Sequence, residues 1–271
     1  MTKLYFLGPY GTYSELAAQK AAYKIENCEL QNVSTIAKVV ELTNQNENDI
    51  GVLPIENKID GIVRPSIDGI YAKDVKIQAQ FDIDIIHCLI SKSSDIKNIK
   101  HIISHPQGLA QCQKFILNNF GSDIELISAS STASAGYKLN EYDESYASIV
   151  SQKLARELNY NVLAQNIGDV KDNKTRFVII SKRDLNIGEK TRTSIVFNTK
   201  NEPGALLEVL KIFDNHNLNM VYIESRPSKK VFGEYNFFVD IDKGINELRP
   251  AISEIKSKCN FYKLLGSYAA I

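Results

Sequence analysis

The run VKIQAQFDIDIIHCLIS, Val75 to Ser91, is a long β-rich stretch with sections of period two, and it lies between two series of alternating strand and helix segments. Before it, KLYFLG reads as a strand and TYSELAAQKAAY as a helix, with Thr12 and Glu15 at the spacing of a capping box. CELQNVS and TIAKVVELTNQ repeat the pair; DIGVLPIEN is the next strand and ends in Glu56-Asn57, and GIVRPSIDGIYAKD is helical beyond Pro65. After it come HIIS, a helix over HPQGLAQCQKFILNNF, IELISA, a helix over STASAGYKLNEY, YASIVS and a helix over QKLAREL, with NVLAQNIGD and TRFVIISK returning to strand. Such alternation implies parallel sheet covered by helices. Two α/β lobes are expected, the stretch near 76–91 crossing from the first to the second and that near 160–175 crossing back. Lobe 1 then spans about 1–78 and 165–185 and lobe 2 about 79–164, a two-lobed clamp with its site in the cleft.

Beyond KRDLNIGEKTR, a polar linker, the order changes. TSIVFNT, PGALLEVLKIFDNHN, LNMVYIESRPS, GEYNFFVDID, NELRPAISEIKSKC and FYKLLGSYA read βαββαβ, the ferredoxin-like plan. The expected domains are 1–185 and 190–271.

Lys and Arg number 32 and Asp and Glu 32, so no net field draws this chain to nucleic acid or an anionic membrane, and a small molecule is the default ligand. No segment approaches a membrane span or a secretory leader, which reads as cytoplasmic. Cys28, Cys88, Cys112 and Cys259 are scattered, without C-x-x-C spacing, and read as buried free thiols. His87 and Cys88 are adjacent on a strand and point to opposite faces, so no metal is expected. No cofactor motif occurs.

In DNKTRFVIISK a hydroxyl and a guanidinium stand where a loop meets a sheet, a common address for a ligand. Taken alone, Thr175 is a β-branched strand residue, Glu56-Asn57 a turn, His105 a structural hydrogen-bonder, and Thr12, Ser131 and Thr132 helix N-caps. No nucleophile elbow appears, so covalent catalysis is not indicated.

GPYGTYSELAA (8–18), VLPIENKIDGIV (52–63), SHPQGLAQC (104–112), STASA (131–135), NKTRFVIIS (173–181), GALLEVL (204–210) and IESRPSK (223–229) together resemble the monofunctional prephenate dehydratases with a C-terminal ACT regulatory domain. The resemblance implies a periplasmic-binding-protein-like (type II) catalytic domain. It also implies loss of carbon dioxide and water from prephenate to leave phenylpyruvate, with no cofactor and with feedback inhibition by L-phenylalanine. Thr175 is then the threonine tied to dehydration, a preorganised donor to the departing oxygen. Arg176 pairs with a substrate carboxylate or, since adjacent strand residues diverge, braces the loop; Phe177 packs beneath the site. Asn57 donates to a substrate oxygen, and Glu56 is the carboxylate that burial would raise toward general-acid work. Ser104 and Gln111 are further catalytic or substrate contacts, and Thr12, Ser14 and Thr132 supply donors at helix starts.

In the ACT domain the resemblance makes the N–H groups of Gly204, Ala205 and Leu206 the seat of an α-carboxylate, with Glu224, Ser225, Arg226 and Pro227 as the second wall. Effector binding where two copies meet implies a homodimer or homotetramer. The family's Ser-x-Glu-Gly-Ser-Val after PIEN is here Lys58, Ile59, Asp60, Gly61, Ile62, Val63, which adds a cation near the cleft. No helical chorismate mutase segment precedes Met1, which reads as the monofunctional form. The alternatives are an arogenate dehydratase and, more remotely, a non-catalytic amino-acid sensor.

Overall fold

A computed structural model describes residues 2–25, 27–228 and 233–271. Lys229, the last residue of the stretch IESRPSK, lies outside them.

The first lobe is built from β1 (Thr2–Leu7), α1 (Tyr13–Lys24), β2 (Cys28–Val33), α2 (Ile36–Gln45), β3 (Ile50–Asn57), the short β4 (Gly61–Ile62), α3 (Arg64–Ala72) and β5 (Lys76–Asp84). The second holds β6 (His87–Ser91), β7 (His101–Ser104), α4 (Pro106–Gln111), α5 (Gln113–Phe120), β8 (Glu125–Ser128), α6 (Thr132–Lys138), β9 (Tyr146–Ser151), α7 (Gln152–Glu157) and β10 (Asn161–Gln165). The chain then returns to the first lobe as β11 (Lys174–Ser181). The C-terminal domain is β12 (Arg192–Thr199), α8 (Ala205–Asn215), β13 (Met220–Pro227), β14 (Tyr235–Ile241), α9 (Ile245–Lys258) and β15 (Cys259–Ala270). The expected two-lobed α/β clamp and βαββαβ domain are both present.

Two sheets carry all this. Lobe 2 has the order β10-β6-β9-β7-β8, while lobe 1 and the C-terminal domain share one sheet, β13-β14-β12-β15-β5-β11-β3-β1-β2, with β4 beside β3. The junction is parallel pairing of Ala269 with Ala79 and Ala270 with Gln80. Beneath it one core joins Ile55, Ile67, Ile70 and Ile77 of lobe 1 to Val196, Phe238, Leu265 and Tyr268 of the C-terminal domain. Each such side chain is worth roughly 1.5–3 kcal/mol when buried. A half-exposed ion pair across the same boundary, such as Arg64–Glu224, is worth about 0–1 kcal/mol. Apolar packing therefore decides how the domain sits.

Three local expectations are corrected. The first crossing falls later than 78, because β5 pairs with β11 as far as Asp84; the two crossings touch where Ile85 N–H donates to the Asn173 carbonyl at 2.9 Å. The helix over 106–120 breaks at Cys112, since the Gln111 carbonyl accepts from Asp169 N–H at 2.8 Å. The Asp169 carboxylate in turn accepts from Lys114 N–H at 3.1 Å and opens α5. Glu15 does not complete a capping box with Thr12: it accepts from Gly11 N–H at 2.6 Å and pairs with Lys153 at 2.8 Å. The cysteines are free, Cys88 and Cys112 buried and Cys28 and Cys259 half-buried. No described helix is long and apolar enough to cross a membrane.

Candidate active site

Between the lobes lies a cleft of about 450 Å³, lined by Thr12, Ser14, Asn57, His87, Gln111, Thr132, Thr175 and Phe177 among others. The first turns of α1, α2, α4 and α6 reach it through Thr12–Ser14, Ile36, Gln107–Gly108 and Thr132, and no described lysine or arginine lines it. Parallel strands that feed helices put helix N-termini at one end of the sheet, where free N–H groups and the helix dipoles favour an anion. The cleft is suited to carboxylates without a cation.

At its floor, Asn57 ends β3 and Thr175 is the second residue of β11, directly opposite it. The hydrogen bonds there have one possible sense. Asn57 Oδ1 accepts from the backbone N–H groups of Ile59 at 3.0 Å and Asp60 at 3.1 Å, so its other terminus is the NH₂ group. That group donates to Thr175 Oγ1 at 2.8 Å, to Asn173 Oδ1 at 3.1 Å and toward the Lys174 carbonyl at 3.2 Å. Thr175 thus accepts from Asn57, and its own proton is left for the cleft.

A second branch crosses to the other lobe. Asn173 Nδ2 donates to Gln111 Oε1 at 3.2 Å, and Gln111 Nε2 donates to Asp60 Oδ2 at 2.7 Å. Because an ionised carboxylate only accepts, Gln111 must turn its oxygen toward His87, whose Nε2 lies at 2.9 Å and so carries the proton. Burial pulls the His87 pKa below its ordinary value, against the opposing pull of the Gln111 hydrogen bond. His87 is therefore neutral, with Nδ1 bare and unpartnered. Asn173, Asp60 and His87 were not singled out as site residues from sequence; for Asn173 the signal was its place inside NKTRF.

Other candidates have different surroundings. Thr12 is the N-cap of α1 and donates to the Pro9 carbonyl at 2.9 Å, Ser131 caps α6, and Thr132 is the first residue of that helix rather than a cap. Phe177 is buried in the wall, its ring stacked 6.2 Å from Phe81. Ser104 is fully buried beneath the cleft, donating to the Ile149 carbonyl at 2.8 Å. Gly108 lies against it, so close that a Cβ there would come within 2.8 Å of Ser104 Oγ. Ser104 supports α4 and does not line the cleft. The Lys58 cation pairs with Asp172 on the surface.

Glu56 and Arg176 are absent from the cleft for a simple reason: each is next in sequence to a cleft residue, and neighbours on a strand face opposite sides. On the far side Arg176 Nη2 meets Glu56 Oε2 at 3.0 Å, while Nη1 meets Asp240 Oδ2 at 2.9 Å and Gln80 Oε1 at 3.2 Å. Burial alone would pull the guanidinium pKa down, but Asp240, Tyr268 and Glu56 outweigh it and hold it above the ordinary value. Glu56 is 41 % exposed and ion-paired, an unsuitable setting for a buried general acid.

A second pocket, of about 360 Å³, opens at the start of α8 and is lined by Gly204, Ala205 and Leu206 with Asn201, Glu202 and Tyr235. Gly204 holds φ at +81°, the left-handed region, and the Ala205 N–H is already taken by the Glu202 carbonyl at 3.2 Å. The stretch Glu224–Pro227 does not line this pocket within one chain. Along β13, Glu224 and Arg226 turn to lobe 1, Arg226 meeting Asp68 of α3 at 3.1 Å, while Ser225 and Pro227 are exposed on the other face.

Comparison with known proteins adds the following. A family model described as prephenate dehydratase matches residues 4–185, and one described as ACT domain matches 193–260. The chain is 39% identical to a prephenate dehydratase of Methanocaldococcus jannaschii, over 96% of this chain and 95% of that one. It superposes on a Staphylococcus aureus prephenate dehydratase with a TM-score of 0.84 and 26% identity, covering 99% of this chain and 100% of that one. A prephenate dehydratase from Arthrobacter aurescens in complex with L-Phe gives a TM-score of 0.86 and 28% identity, with 99% and 90% covered.

Proposed function

The chain belongs to the prephenate dehydratase family, and on that premise we propose that it converts prephenate to phenylpyruvate, carbon dioxide and water, under feedback control by L-phenylalanine at its ACT domain. In the reaction, electrons released as the ring carboxylate leaves flow into the ring and expel the hydroxyl, which takes up one proton to depart as water. A threonine hydroxyl is too weak an acid to be deprotonated at neutral pH, so Thr175 acts as a hydrogen-bond donor to the departing oxygen. The observation that carries this reading is the one-way bonding from the Ile59 and Asp60 N–H groups through Asn57 to Thr175, which leaves the Thr175 proton free in the cleft. Gln111, Ser14, Thr132 and the helix starts supply donors for a substrate with two carboxylates. On this reading the protein is a carbon–oxygen lyase of the cytoplasm.

For the effector, the reading places the L-phenylalanine carboxylate at the Gly204–Leu206 loop, with the exposed face of Ser225 and Pro227 from a second copy closing the pocket. An edge position for β13 and the exposure of Val221, Ile223 and Leu207 support a homodimer formed through this domain.

The test is phenylpyruvate formation by the purified protein from prephenate, with arogenate in parallel and phenylalanine added to each. Turnover of prephenate that phenylalanine suppresses is expected. Turnover of arogenate alone would change the substrate, and no turnover of either would overturn the enzymatic reading.

A further inference from the structure

We propose that Asp240, a residue of the ACT domain, is a positioning residue of the catalytic unit: by holding Arg176 it keeps Thr175 and Asn57 aligned in the cleft. The inference rests on the dehydratase reading above and adds to it a residue from the regulatory domain.

On β3 and β11 two cross-strand pairs sit side by side, Thr175 opposite Asn57 and Arg176 opposite Glu56. One pair hydrogen-bonds in the cleft at 2.8 Å, and the other forms an ion pair on the opposite face at 3.0 Å. Each pair is thus the underside of the other, joined by two peptide units. One residue further along, the register slips: Phe177 pairs with Pro54, leaving Ile55 as the extra residue of a bulge. Bulges re-aim side chains and raise local twist; the outer edges of the two strand ends pair with β5 and β4, so the contacts that cross from one strand to the other set how they are aligned. Beyond the bulge, the ends of the two strands are tied by the bond from Lys58 N–H to the Lys174 carbonyl at 2.9 Å, by the Asn57 contacts and by Arg176.

Arg176 can serve as a tie only if its guanidinium is fixed. Glu56 cannot fix it, being 41 % exposed and carried on the same pair of strands. Asp240 can. Its side chain and that of Arg176 are each 12 % exposed, and they meet at 2.9 Å. The second Asp240 oxygen accepts from Ser194 Oγ at 2.5 Å, and Ser194 lies 2.7 Å from the hydroxyl of the buried Tyr268. The carboxylate is thereby locked from the ACT side by the core that both domains share. Arg176, which sequence assigned to the substrate or to bracing the loop, has the second of these tasks, and the brace ends in the other domain.

The experiment uses the full chain with Asp240→Asn, which keeps the shape and an acceptor for Ser194 but removes the charge. The expected result is a fall in kcat of about tenfold, with KM for prephenate within about twofold, since no group that touches substrate has changed. Asp240→Glu should recover part of the loss. If Asp240→Asn does not fold, Ser194→Ala releases the same carboxylate without altering charge and should lower kcat by about threefold. Unchanged kcat in the folded variant, or a loss equal to the fraction of unfolded protein, overturns the proposal. Failure of the wild type to turn over prephenate would instead overturn the function on which it rests.

Discussion

Thr175→Val is the substitution that most directly probes the chemistry. Valine keeps the branched shape at a position only 8% exposed and suits a strand, so packing changes little. What is lost is one hydroxyl, which accepts from Asn57 and offers its proton to the cleft. Asn57 Nδ2 is not orphaned, because Asn173 Oδ1 at 3.1 Å and the Lys174 carbonyl at 3.2 Å remain. The stability cost is therefore that of one ordinary hydrogen bond, about 1 kcal/mol or less. The catalytic cost is that of a preorganised donor aimed at developing negative charge, ~10²–10³ in kcat, or about 2.7–4 kcal/mol. Phenylpyruvate formation followed across prephenate concentrations, with a thermal melt on the same samples, separates the two. A variant within about fivefold of wild-type kcat would refute the donor role, as would a loss of kcat matched by a collapse of the melting temperature.

Two further outcomes are expected. Because burial depresses the His87 pKa below 6.5, its ordinary value, the folded state resists protonation while the unfolded state accepts it. The contribution is complete above pH 6.5 and is lost as pH falls from there through the folded-state pKa, so the wild type should lose more melting temperature between pH 7.5 and 5.5 than His87→Gln; equal losses in the two proteins would count against a buried neutral imidazole. At the proposed effector loop, Gly204→Ala meets no steric neighbour but forces a side chain into φ +81°, at a cost of about 1 kcal/mol. The phenylalanine concentration for half inhibition should rise by up to about fivefold, and an unmoved inhibition curve would take the effector away from this loop.

Much of the architecture was legible because period and punctuation agree: strand and helix segments alternate on both sides of Val75–Ser91, and the order turns to βαββαβ after the linker. The lobe boundary was less so, since β5 runs unbroken past residue 78 and only its pairing with β11 shows to which sheet it belongs. Within the site, Asn57, Gln111 and Thr175 come together across two lobes. Glu56 and Arg176 do not, and strand parity is the reason, a rule the sequence contains but which a motif read as a block conceals. Ser104 is hidden by the close seat of Gly108 on it, a contact between a strand end and a helix that no local pattern reports. Gln111 links the Asp60 carboxylate to His87, and such three-body hydrogen bonding has no signature in one dimension.

The shared sheet has a further consequence for how the molecule is made. As the chain leaves the ribosome, β5 emerges early and finds β11 on one side once the second lobe has been completed. Its other side stays bare until β15, the last strand of the regulatory domain, arrives to pair at Ala79 and Gln80. Through that interval the nascent enzyme offers an unpaired strand edge, the kind of surface on which neighbouring chains associate. A chain cut short before β15 would keep that edge, and would also lack Leu265 and Tyr268 from the core beneath it. Removing the C-terminal domain of this protein should therefore yield insoluble material rather than an enzyme released from control.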